Sequence, residues 1–181
     1  MLPRNNYNLH RFLRGFTLVE LLLVLVVVAI LLSLGVPSFL NILASNRVAA
    51  AANEMVVVLN LGKSEAVRSG QTLVLCKRQA ADTQCSTSAG DWDNGWLLFI
   101  DGDNDNQVDA GERVVRVQTD AEESLDLAFS GGGNLNFSPD GGTGPTGRFC
   151  LRNSHDGDKS RVIRVSGFGR FQVEQQAYDC A

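Results

Sequence analysis

The run from Phe16 to Val36 constrains this chain more than any other feature, because it is almost wholly apolar and carries one ionisable residue, Glu20, near its start. About 20 apolar residues in a helix rise roughly 30 Å, enough to cross the hydrocarbon of a bilayer. Residues 1–15 ahead of it contain Arg4, His10, Arg11 and Arg14 and no acid, the charge bias of a segment retained on the cytoplasmic side. An ordinary secretory signal has an apolar core of only about 7 to 15 residues before a small-residue cleavage site. A carboxylate in the lipid costs on the order of 2.5 to 3.5 kcal/mol, so Glu20 calls for a partner that a plain anchor would not need.

Gly35 and Pro37 interrupt the run, and a bend or local melting is expected there because proline lacks an amide donor and crowds the preceding turn. From Ser38 to Ser69 the sequence is again rich in helix formers. Leu40, Leu43, Ala44, Val48, Ala51, Ala52, Met55, Val58, Leu59 and Ala66 recur at three- and four-residue steps, the stripe of a helix packed on a sheet. Read as one interrupted helix from Phe16, the segment is roughly 80 Å long.

Gly15-Phe16-Thr17-Leu18-Val19-Glu20, followed by the unbroken apolar run, resembles the prepilin motif of type IV pilins and type II secretion pseudopilins. The resemblance implies cleavage after Gly15 by a prepilin peptidase, methylation of Phe16 as the new N-terminal residue, and an assembly role for Glu20. In that role Glu20 of an incoming subunit meets the new amine of a neighbour, so that two costly membrane charges neutralise each other. Leu61-Gly-Lys-Ser-Glu65-Ala-Val-Arg68 followed by Leu73-Val-Leu-Cys76 narrows the resemblance to the GspH/FimT branch of minor pilins.

The implied plan is an α+β fold with three parts: a leader at 1–15, a membrane-spanning and polymerising helix at 16–37, and a globular head at 38–181. The implied home is a bacterial inner membrane, single-pass, with the head in the periplasm and the subunit later in a pilus or pseudopilus. The implied partners are major and minor pilins, the prepilin peptidase and an inner-membrane assembly platform. A minor type IV pilin supporting pilus assembly is the first reading; a minor pseudopilin of type II secretion is the second, since both use the same helix.

The head reads as short strands separated by turns: Thr72 to Lys77, Gly95 to Ile100, Arg113 to Thr119, Leu125 to Phe129, Leu135 to Ser138, Gly147 to Arg152, Ser160 to Ser166 and Phe171 to Gln175. No second long helix is expected, so the long helix should pack on an antiparallel sheet or a pair of sheets. Four cysteines, Cys76, Cys85, Cys150 and Cys180, fit no zinc spacing. Local pairing, Cys76 with Cys85 and Cys150 with Cys180, is expected among the three formal connectivities, and oxidised cysteines belong outside a reducing cytosol; buried free thiols are the alternative.

The net charge of −4 hides an uneven distribution. Acids dominate from Asp91 to Asp126. Within that stretch Asp101, Asp103, Asp105, Asp109 and Glu112 fall at positions 1, 3, 5, 9 and 12 of a twelve-residue calcium loop, with the Gln107 carbonyl at position 7. Asn106 stands where such loops place glycine, and strands flank the loop where helices would be needed. Calcium or a plain hairpin turn rich in Asp and Asn are therefore both open readings, and no other cofactor is expected.

Basic residues dominate from Gly147 to Gln172. The GspH/FimT resemblance implies a DNA-uptake role through a Gly-Arg-x-Arg stretch, of which Gly169-Arg170-Phe171-Gln172 keeps Arg170 and departs at Gln172. Lys159, Arg161, Arg164 and Arg170 are the candidate phosphate contacts, although strand alternation sets Arg161 opposite Arg164. Enzymatic function is not expected: His10 lies in the leader, His155 stands alone in a Gly/Asp loop, and no nucleophile or phosphate-cradling motif is present.

Overall fold

The computed structural model describes residues 15–79, 83–86, 92, 94–119, 125–154 and 160–174, with the side chain of Pro37 excluded. Helix α1 runs Leu18–Ser69. Thr17 caps it, as the Glu20 amide donates to Thr17 Oγ1 at 3.2 Å and the Leu21 amide to the Thr17 carbonyl at 3.1 Å. Thr17 and Glu20 thus have the threonine and glutamate spacing of a capping box, and a carboxylate in the first turn suits the positive end of the helix dipole. The expected melting at Gly35 to Pro37 does not occur: helical backbone continues through all three residues. One proline removes one hydrogen bond, and strong helix formers on both sides keep the rest.

Two compact units are present, Met1–Leu40 and Asn41–Ala181. In the first, the described residues from Gly15 to Val36 are all exposed. The second holds the core. There α1 buries Val48, Ala52, Met55, Val58, Leu59 and Ala66 at helical spacing, while Glu54, Asn60, Ser64 and Arg68 remain exposed.

Among the described residues nine strands follow: β1 Thr72–Lys77, β2 Gly95–Asp101, β3 Val114–Thr119, β4 Leu125–Phe129, β5 Asn134–Phe137, β6 Thr143–Gly144, β7 Gly147–Asn153, β8 Ser160–Val165 and β9 Phe171–Glu174. They form two antiparallel sheets, β3-β2-β1-β5-β6 and β4-β7-β8-β9. Strand β5 begins one residue before its expected start. The two-residue β6 escapes a pattern search because Thr143-Gly144 carries no apolar alternation; it exists because Phe137 and Asn136 of β5 pair with it.

The main core lies between α1 and the inner faces of the sheets. Leu73, Leu75, Leu98, Leu135 and Phe137 come from the first sheet; Leu127, Phe129, Phe149, Leu151, Ile163 and Val165 come from the second. Trp92 packs on the second sheet, edge-on to Phe149 at 5.2 Å, while Phe129 stacks on Phe149 at 4.2 Å. Gly62 permits the close approach of α1 to the first sheet, since a Cβ there would lie 2.6 Å from the Phe137 ring.

The outer face of the first sheet is also covered. Val74, Cys76, Cys85, Leu97 and Phe99 form a smaller cluster, against which Val108 and Val114 pack. Two connections supply the cover: the segment closed by the Cys76–Cys85 disulfide and the acidic β2–β3 loop, joined where Gln84 Nε2 donates to the Val108 carbonyl at 3.1 Å.

Candidate functional site

Four sets of residues bear on function. At the N-terminal end, Gly15 and Phe16 are exposed and lie outside the helix, so the bond between them stands just ahead of the cap. Glu20 sits one turn further on, its amide held by Thr17 and its side chain exposed. The capping role of Thr17 is a local function the sequence reading missed, although the threonine three residues before a glutamate was there to be read.

The acidic loop closes the β2–β3 hairpin. Asp101 is the last residue of β2 and is 1% exposed. Its two oxygens accept from the amides of Asn104 at 2.7 Å and Asn106 at 3.1 Å. Asp103 accepts from the Asp105 amide at 3.3 Å, and Asp105 from the Gln107 amide at 2.7 Å. Glu112 reaches back with both oxygens, to the Gly102 amide at 2.6 Å and the Asp109 amide at 3.1 Å. The loop therefore holds its shape on its own donors, as turns rich in Asp and Asn do.

Asn106 performs the backbone task of the missing glycine: its φ is 64°, in the left-handed region that Asn tolerates. Its Oδ1 also accepts from Asn134 Nδ2 and Asn136 Nδ2, each at 2.8 Å, which fastens the loop to β5. Carboxylate oxygens of Asp101, Asp103 and Asp105 lie within 4.8 Å of one another. Burial pushes the Asp101 carboxyl above its ordinary range; Asp105, then burial, then Asp103 and Glu112 push up Asp109. Such a set has the hard oxygen donors that suit calcium, but they are already engaged by backbone amides and flanked by strands.

The candidate basic residues Arg161 and Arg164 point to opposite faces of the second sheet. In β8, Arg161 stands opposite Leu151 on the core-facing side, is half-buried, and donates through Nη1 to the Ser160 carbonyl at 2.9 Å. Arg164 stands on the other face, opposite Arg148 and Gln172, and pairs with Glu174 at 3.1 Å. Arg152 pairs with Asp126 at 2.9 Å on that same outer face. Arg170 is exposed just ahead of β9, while Lys159 and His155 lie outside the described residues. As strand alternation predicts, Arg161 and Arg164 lie on opposite faces, and Arg164 and Arg152 each have an acidic partner.

Cys76 and Cys85 are disulfide-bonded. Cys150 is also disulfide-bonded; Cys180 lies outside the described residues. Elsewhere, Glu65 near the end of α1 binds two arginines, Arg68 from its own helix and Arg113 from the start of the β3 arm, with Arg68 Nε at 2.9 Å. Hydrogen bonds from Arg68 and then Arg113 hold its carboxyl down at about 2.

Comparison with known proteins matches these parts separately. Residues 51–169 match the family described as Type II transport protein GspH, and residues 13–36 match the prokaryotic N-terminal methylation motif. No curated protein matches the chain. Crystal structures of the type IV minor pilin FimU of Pseudomonas aeruginosa share the fold in two crystal forms. One is 20% identical with a TM-score of 0.53, covering 74% of this chain and 96% of that one. The other is 21% identical with a TM-score of 0.50, covering 70% and 91% respectively.

Proposed function

The chain belongs to the GspH family of minor pilins and pseudopilins, a structural and not an enzymatic family, and from that premise we propose that it is a minor type IV pilin. On this reading it is held in the bacterial inner membrane by residues 16–37, cut after Gly15, methylated on Phe16, and drawn by an assembly platform into a filament with other pilins. The observation that carries the proposal is Glu20, an exposed carboxylate in the first turn of a helix that is otherwise fit for lipid.

The physical argument runs through charge. Cleavage after Gly15 exposes a free amine at Phe16, and a subunit entering the filament brings that amine together with the Glu20 of a neighbour. Each charge alone is costly in lipid; paired, they offset one another. Glu20→Ala should leave the subunit processed and membrane-bound yet cut its recovery in sheared filaments by more than about tenfold, as loss of roughly 1.4 kcal/mol or more in assembly requires. Recovery at the wild-type level would reject the pairing, and mass spectrometry showing residues 1–15 still attached in assembled protein would reject the reading itself.

A second reading, a minor pseudopilin of type II secretion, is favoured by the description of the matching family. Both readings use the same helix and the same processing. Purification of the protein from its host decides between them by which major subunit accompanies it. DNA uptake forms no part of the proposal, since the arginines expected to serve it are divided between two faces of a sheet.

A further inference from the structure

Val74, Cys76, Leu97 and Phe99 are buried on the outer face of the first sheet, in a cluster to which α1 contributes no residue among those described. Their cover comes from two connections. One is the chain returning after β1, where the Ser86 amide donates to the Lys77 carbonyl at 2.8 Å, the Gln79 amide donates to the Gln84 carbonyl at 2.9 Å, and the Cys76–Cys85 disulfide closes the pair. The other is the acidic loop, which adds Val108. The Asn106 side of that loop is clasped by β5. Its Val108 side is held by Gln84, whose Nε2 donates to the Val108 carbonyl at 3.1 Å. Gln84 is the neighbour of Cys85 in the chain, so the bond that fixes Cys85 to β1 also fixes the residue that holds the loop.

The two sulfurs lie under the cover that their bond secures. Cys76 is 1% and Cys85 5% exposed. Thiol–disulfide exchange proceeds by direct attack of a thiolate on a disulfide sulfur, so it requires access that this closed surface denies to oxidant and reductant alike. The bond therefore forms while the cover is open, and closure afterwards shields it.

We propose that Cys76 and Cys85 form a one-way redox latch: with both thiols reduced, the returning chain and the Val108 side of the acidic loop stay off the sheet, and oxidation closes both over the bond. One cysteine thiolate attacks a disulfide-bearing oxidant to give a mixed disulfide, and the second displaces it. Two protons and two electrons leave the pair, and the oxidant departs as a dithiol. Such an oxidant is met outside a reducing cytosol, so the outer surface of the head matures only after it has left that compartment. The latch is the same for a pilus or a pseudopilus subunit, and stands apart from the choice between them.

The test follows amide hydrogen exchange by mass spectrometry in the full-length protein held in detergent micelles. Cys76→Ala combined with Cys85→Ala should speed exchange at the Gln107 and Asp109 amides at least about tenfold, while Phe149 and Leu151 of β7 keep wild-type protection. Gln84→Ala, which leaves the disulfide in place, should speed the same loop amides. Folded wild-type protein should keep its slow loop exchange in dithiothreitol, and should show the fast exchange of the paired alanine variant once it has been unfolded and refolded in that reductant. Slow loop exchange in either variant or in the protein refolded under reductant, or a loop opened by dithiothreitol in the folded protein, would overturn the latch. Loss of β7 protection in the paired alanine variant would overturn it as well, because the bond would then be a staple of the whole head.

Discussion

Glu65 shows how one carboxylate can tie a helix end to a sheet. Its two arginines hold its carboxyl at about 2 against an ordinary value of 4.5, so the stabilisation is fully present above pH 4.5 and is lost as pH falls toward 2. Glu65→Gln should therefore lower the urea midpoint of the head at pH 6, and the gap to wild type should close on acidification through that window; a gap that persists at pH 2 would reject the linkage. Asp109 has the opposite sign. Its carboxyl is pushed up by Asp105 and its other acidic neighbours, so the ionised form opposes folding at neutral pH and the opposition fades as pH falls through the raised value. Asp109→Asn should raise the midpoint at pH 7 in chelator, because the loop is held by backbone amides; a lower midpoint would show that Asp109 supports the fold. The loop spacing was legible residue by residue, but the left-handed turn at Asn106 and its clasp by Asn134 and Asn136 depended on β5 arriving beside it.

At the scale of elements, strand positions were nearly all readable from alternation and turn residues, because most strands bury one or both of their faces. The pairing order was not readable. Nothing local says that β1 lies between β2 and β5, or that β4 leaves the first sheet to pair with β7. Those choices follow from contacts distant in sequence, of which Gly62 against Phe137 is the clearest. In a helix, alanine is favoured over glycine by about 1 kcal/mol, yet overpacking a rigid ring costs about 1 to 3 kcal/mol. Since Phe137 is fully buried, the second effect should win, and Gly62→Ala should destabilise the head by about 1 kcal/mol in urea unfolding. An unchanged or higher midpoint would mean that the ring gives way easily.

Helix α1 carries two kinds of surface, an exposed apolar stretch up to Val36 and a core-packing stretch from Val48 onward. Because every residue of the main core lies at or beyond Val48, a fragment of residues 41–181 should fold cooperatively without detergent. That fragment should also fail to retard duplex DNA at low salt, given Arg164 paired with Glu174 and Arg161 turned to the other face; retardation there would restore a nucleic-acid role. The sequence by itself determined the membrane-grade helix, its basic flank, Glu20 and the succession of strands, since each is set by composition or by periodicity along the chain. Only tertiary structure decided which charges meet, which sheet each strand joins, and how the acidic loop is fastened to β5. Those depend on side chains brought together from remote parts of the chain, and local pattern carries no record of such encounters.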